Sequence, residues 1–185
     1  SSNNNLLNNS SFETPGDNFW GFGGSKISEN ELSTDSVHGQ YSLKWPYVNS
    51  ANDLPSSNPI TGEYQNTISY QAVAGDAGST YTLSASAKFT TGGGQFEYQI
   101  YDSSRGRSGF GPILISSPKF TLTNTWKRFD WTFTLPSSSS GKYVIRIVFP
   151  GDPPWQVPYP TSPRFAGLVD AVKFEKGNLT NFTTD

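Results

Sequence analysis

The stretch Thr80–Phe89, TYTLSASAKF, restricts what this chain can fold into more than any other. Tyr81, Leu83, Ala85, Ala87 and Phe89 alternate with Thr82, Ser84, Ser86 and Lys88. A period of two residues marks a half-buried β-strand and does not fit an amphipathic helix. The pattern recurs in Gln95–Asp102, where Phe96, Tyr98 and Ile100 oppose Gln95, Glu97, Gln99 and Tyr101. It recurs again in Arg128–Leu135, with Phe129, Trp131, Phe133 and Leu135 on one parity, and in Lys142–Phe149. There Tyr143, Ile145, Ile147 and Phe149 oppose Val144, Arg146 and Val148. Weaker strand patterns cover Leu6–Glu13, Gln40–Val48, Glu63–Val73 and Phe165–Gly177, and Pro46 marks an edge or a strand end. No stretch carries a helical period of useful length. Short strands separated by turns such as TPGD, TGGG and SSSSG predict an all-β chain, a sandwich or a barrel.

The 185 residues suit one domain with a sizeable core. Aromatics make up 15% of the chain and charged residues also 15%, against the usual share of about a quarter charged. Ser, Thr, Asn, Gln and Gly fill the gap and leave a nearly neutral surface. The net charge of −2 attracts no polyanion, so nucleic acid is not an expected partner. No run approaches the roughly 20 apolar residues of a membrane span, so no membrane partner is expected either. Zero Cys excludes disulfides, thiolate metal sites and cysteine nucleophiles. With no Met and with polar ends, the chain reads as a domain excised from a larger protein, 1–5 and 178–185 being linker-like.

The second parity of the central strands bears on function. A solvent-facing sheet surface is usually rich in Lys and Glu. Here Gln65, Gln71, Ser84, Ser86, Gln95, Gln99 and Tyr101 dominate, with Lys88, Glu97 and Arg146 the charged members. Amides and hydroxyls both donate and accept hydrogen bonds, which suits sugar hydroxyls. Tyr and Trp rings suit the apolar C–H faces of sugars. Candidate saccharide contacts are therefore Tyr64, Gln65, Glu97, Gln99, Tyr101 and Arg146, with Phe110, Trp155 and Tyr159 from loops. Trp155 and Tyr159 stand in DPPWQVPYP, where prolines stiffen the presentation of an aromatic. Trp20 and Trp45 are further binding candidates. The alternative is a polar sheet face with no ligand, its loop aromatics folded back on the core.

Catalysis has little to stand on. His38 is the sole histidine, in a turn entering a strand, and fits a structural role. A glycosidase needs two carboxylates flanking a cleft, and Glu97 among amides is more simply a hydrogen-bonding group. The expectation is no enzyme activity. Glu13 and Asp170 lie in the first and last expected strands; meeting in one sheet, they would offer hard oxygen ligands of the kind Ca²⁺ takes. They are otherwise ordinary polar residues at strand ends.

The segments NNSSFE, STDSVHGQYSLKW, YTLSASAKF, TWKRFDWTFTLP and LVDAVKFEKGN, in that order, resemble carbohydrate-binding modules of the family 4/9/22 type. The resemblance implies a β-sandwich jelly roll of two antiparallel sheets, non-catalytic glycan binding in a concave cleft, and a structural calcium held through Glu13 and Asp170. The family commonly has two adjacent carboxylates in the last strand, whereas here Val169 precedes Asp170. The ending FEKGNLTNFTTD is similar to that of phage tail and baseplate proteins carrying such modules, with Phe182 in place of a Trp. That implies an extracellular module on a virion tail which binds host cell-wall polysaccharide, with other virion tail subunits as partners. The alternatives are a module of a secreted bacterial polysaccharide-degrading enzyme, or a virion assembly module without a glycan site.

Overall fold

A computed structural model describes residues 4–14, 19–22, 25–26, 32–45, 56–57, 64–70, 72–103, 113–150 and 165–182, with backbone alone at 21–22, 25–26, 56–57 and 64–66. The strands are β1 (Trp20–Phe22), β2 (Ser25–Lys26), β3 (Leu32–Ser33), β4 (Ser42–Trp45), β5 (Ser56–Ser57), β6 (Tyr64–Tyr70) and β7 (Val73–Ala74). There follow β8 (Thr80–Thr91), β9 (Gln95–Asp102), β10 (Ile113–Ser116), β11 (Phe120–Thr121), β12 (Lys127–Thr134), β13 (Lys142–Pro150) and β14 (Ala166–Lys176). No helix occurs among the described residues.

The strands form two antiparallel sheets. A nine-stranded sheet runs β10-β9-β13-β6-β1-β2, with β11, β5 and β7 attached to β9, β6 and β13. A five-stranded sheet runs β12-β8-β14-β4-β3. Consecutive strands β8 and β9 lie in different sheets. The passage between them uses Gly92, Gly93 and Gly94, at φ +85°, +68° and +108°. Three left-handed residues in succession are accessible at low cost only to glycine.

The apolar parities of both sheets face each other and make the core. Tyr81, Leu83, Ala85 and Ala87 of β8 are buried, as are Phe96, Tyr98 and Ile100 of β9. Aromatic rings bridge the sheets. Phe96 meets Phe129 edge-on at 5.0 Å, and Trp45 stacks on Phe149 at 4.4 Å. The buried Tyr98 hydroxyl donates to the Phe129 carbonyl at 3.0 Å, and burial pushes its pKa up. Trp20 and Trp45, candidates for ligand contact, are 0% and 1% exposed and belong to this core.

The expected first strand, Leu6–Glu13, is an irregular segment. Asn9 and Phe12 take positive φ, at 48° and 60°, which a strand does not contain. The segment still docks on the last strand. The Leu6 amide donates to the Phe174 carbonyl, the Val172 amide to the Ser10 carbonyl, and Asn5 brackets both with its side chain. Leu7 and Phe12 are fully buried as a result. Within β14 the pairing with β8 shifts between Asp170 and Lys173, and Ala171 sits at φ +53°. This bulge interrupts the alternation of the last strand. At the other end of the chain, Lys173 Nζ donates to Thr180 Oγ1 and to the Asn181 carbonyl, so residues 180–181 also pack on the sheet.

Candidate functional site

The outward parity of β9 and β13 gathers most of the expected saccharide contacts that can be described. Arg146 pairs in register with Gln99 on one side and Ser69 on the other. Val148 likewise lies between Glu97 and Thr67, and Val144 beside Tyr101. Neighbouring strands stand about 4.8 Å apart, so these side chains form one continuous patch.

Within it, Tyr101 Oη donates to Gln99 Oε1 at 3.1 Å, and Gln99 Nε2 donates to Glu97 Oε1 at 3.3 Å. The Arg146 guanidinium lies 4.9 Å over the Tyr101 ring. Burial pulls the Arg146 pKa down, while Tyr101 works against that shift. The Ser69 hydroxyl is buried and has no hydrogen-bond partner among the described residues. The patch is more enclosed than a solvent-washed sheet face: Gln99 is 6% exposed, and Val144, Val148 and Ser69 are buried. Tyr101, expected to stack on a sugar ring, already has one face against Arg146.

Sequence alternation does not say to which sheet a strand belongs. Ser84, Ser86 and Lys88 share the polar parity with Gln99 and Tyr101, yet they lie on β8, in the five-stranded sheet. They face the opposite side of the sandwich. Ser69 and Thr67 join the patch through β6, a membership that the alternation of Glu63–Val73 alone does not single out. The backbone of Tyr64 and Gln65 lies in β6, where Gln65 pairs with Pro150, but their side chains are outside the described residues, as are Phe110, Trp155 and Tyr159 altogether.

Glu13 and Asp170 converge on one loop. Glu13 accepts the amides of Gln40 at 2.7 Å and Tyr41 at 3.0 Å, and Asp170 accepts those of Val37 at 3.0 Å and His38 at 3.1 Å. The Ala171 amide donates to the second Asp170 oxygen. Burial pushes the Asp170 carboxyl up to about 7, the three amides pull it back, and the Glu13 charge adds to the rise. Gly39, at φ +67°, makes room for the Glu13 carboxylate: a Cβ there would meet Glu13 Oε1 at 1.5 Å. All four carboxylate oxygens thus accept backbone amides, and the two side chains tie residues 37–41 to the N-terminal segment and to β14. No cluster of three or more His, Cys, Asp or Glu able to hold a metal occurs among the described residues.

Two antiparallel sheets with an amide, hydroxyl and guanidinium patch on one outer face define a β-sandwich binding module. Residues 4–154 match the family model CBM_4_9, described as a carbohydrate binding domain, and the chain belongs to that family. No curated protein matches the chain by sequence. Among solved structures, TmCBM61 in complex with β-1,4-galactotriose is similar, with 15% identity and a TM-score of 0.55, over 95% of this chain and 100% of that one. So is the CBM22-1 xylan-binding domain from Paenibacillus barcinonensis Xyn10C, with 13% identity and a TM-score of 0.54, over 92% and 94%. The enzymatically active domain of bacteriophage CBA120 tailspike protein 4 matches with 12% identity and a TM-score of 0.55, over 94% of this chain and 21% of that one. These likenesses bear out the β-sandwich jelly-roll fold.

Proposed function

We propose that the outer face of β9, β13 and β6 binds saccharide without cleaving it, as an adhesion module of a phage tail protein on host cell-wall polysaccharide. The observation that carries this reading is the row Tyr101–Gln99–Glu97 beside Arg146 and Ser69, on a chain of the carbohydrate binding domain family. Gln99 offers both a donor and an acceptor, Glu97 accepts, and Arg146 only donates. Such a row bonds vicinal hydroxyls in either sense, and Arg146 also suits a phosphate substituent. The tailspike likeness and the FEKGN ending favour the phage setting. The xylan-binding neighbour favours the second reading, a module of a secreted polysaccharide-degrading enzyme.

The test is a binding panel: purified bacterial wall polysaccharides against xylan, galactan and glucan, with a fluorescent fusion on intact bacteria. Retention on wall polysaccharide and cells supports adhesion, and retention on plant polysaccharide alone supports the second reading. No retention on any, or release of reducing ends, overturns the proposed role.

We also propose a structural Ca²⁺ held by Glu13 and Asp170, supported by the loop geometry around Gly39. Bound calcium ties the N-terminal segment, residues 36–41 and β14 together.

A further inference from the structure

The other side of the sandwich carries a pocket that the saccharide patch does not use. It has a volume of about 350 Å³, and Arg128, Ser86, His38, Asn181 and Phe182 are among its walls. Arg128 comes from β12, opposite Ser86 of β8, so the floor is the outer face of the five-stranded sheet. The bulge at Ala171 turns a carbonyl toward the Arg128 guanidinium, and residues 179–182 close one side.

The guanidinium is half-buried, and its described hydrogen bonds go to neutral oxygens. One nitrogen donates to Ser86 Oγ at 3.3 Å and to the Ala171 carbonyl, and the other donates to Ser84 Oγ at 2.8 Å. A guanidinium has five N–H donors. Three are engaged, and no carboxylate pairs with it among the described residues. Asp170, Glu175 and Asp130 act on its charge from nearby without a direct ion pair among the described residues. Asp170 accepts three backbone amides, Glu175 accepts Thr180 and lies 3.7 Å from Lys173, and Asp130 is exposed. Above the guanidinium, the Phe182 ring lies 5.5 Å away, and His38 packs edge-on against that ring at 4.8 Å. Val37 and Leu179 form an apolar rim, 45% and 43% exposed.

A partly desolvated cation with spare donors is completed by an oxyanion, and a charge-assisted hydrogen bond there is strong. A pocket of this volume admits one small molecule rather than a polymer lying across a sheet. We infer that the Arg128 pocket is a second binding site, distinct from the saccharide patch, which takes a small carboxylate- or phosphate-bearing molecule such as a sugar acid. The oxyanion sits on Arg128 and the apolar part of the ligand lies against Val37 and Leu179.

The experiment is an NMR titration of the full chain with sodium glucuronate, sodium phosphate and, as the uncharged control, glucose. Saturable shifts of the Arg128 Nε–H and of the His38, Ala171 and Asn181 amides with glucuronate are expected, and none with glucose. A matching response to phosphate identifies the oxyanion alone as the determinant; a response to glucuronate only adds the sugar body. Arg128→Gln should weaken binding about tenfold or more. Because Arg128 also supports the bulge, Phe182→Ala provides the second variant, which leaves the hydrogen bonds of Arg128 in place and should weaken binding roughly threefold. Three results would overturn the site: no saturable shift with either anion, an equal response to glucose, or shifts confined to Gln99 and Arg146. Wild-type affinity in both variants would overturn it as well.

Discussion

Several single residues decide local stability. Tyr98 buries a hydroxyl whose acceptor, the Phe129 carbonyl, belongs to the other sheet. Tyr98→Phe is expected to cost about 1–3 kcal/mol in urea unfolding, the usual range for a buried hydrogen bond whose partner is left unsatisfied. Asp102 accepts hydrogen bonds from Ser138, Ser139 and Ser140, and these hold its carboxyl well below the usual carboxylate range. A depressed native-state pKa stabilises the fold above the unfolded value of about 3.9 and loses that contribution as the pH falls toward the native value. The acid limb of a stability-versus-pH curve should therefore be shallower in Asp102→Asn, and an unchanged limb would remove Asp102 from the explanation. SSSSG reads as a simple turn in sequence; nothing in it announces the carboxylate 36 to 38 residues away that organises it.

At the scale of elements, legibility followed alternation. Gln95–Asp102 is a strand at the expected bounds, because every second residue there packs into one core. Leu6–Glu13 resisted the same reading, since Asn9 and Phe12 break the extended backbone while Leu7 and Phe12 remain buried. The docking of that segment on β14 depends on Asn5 and on the bulge at Ala171, neither of which leaves a periodic trace. Phe12→Ala should cost about 3–5 kcal/mol, the range for emptying a buried aromatic site. The proposed calcium site makes a separate prediction. Calcium at about a hundred times its dissociation constant adds about 2.7 kcal/mol, which for a chain of this size raises Tm by roughly 5–10 °C. EDTA should reverse the rise, and Glu13→Gln and Gly39→Ala should abolish it. Equal melting with calcium and with EDTA would dismiss the cation.

For the whole molecule, the sandwich separates two polar faces that look alike in sequence. Gln99, Tyr101 and Arg146 lie on one sheet, while Ser84, Ser86 and Lys88 lie on the other. Which strands share a sheet is decided by chain crossings such as Gly92–Gly94, so alternation alone merged the two faces. Glu97, Gln99, Tyr101 and Arg146 were legible as one outward-facing group because polar residues, mostly uncharged, dominate their parity, and β9 and β13 do pair there. The placement of Ser69 and Arg128 was not, because it comes from pairing across strands. The most direct test is an amide and side-chain NMR titration with the polysaccharide that the binding panel selects. Shifts should concentrate on the Gln99 side-chain amide, the Arg146 Nε–H and the backbone of β9, β13 and β6, and Gln99→Ala should reduce affinity about tenfold. Binding that leaves those resonances in place, or that survives Gln99→Ala and Tyr101→Ala unchanged, would contradict saccharide recognition on this face.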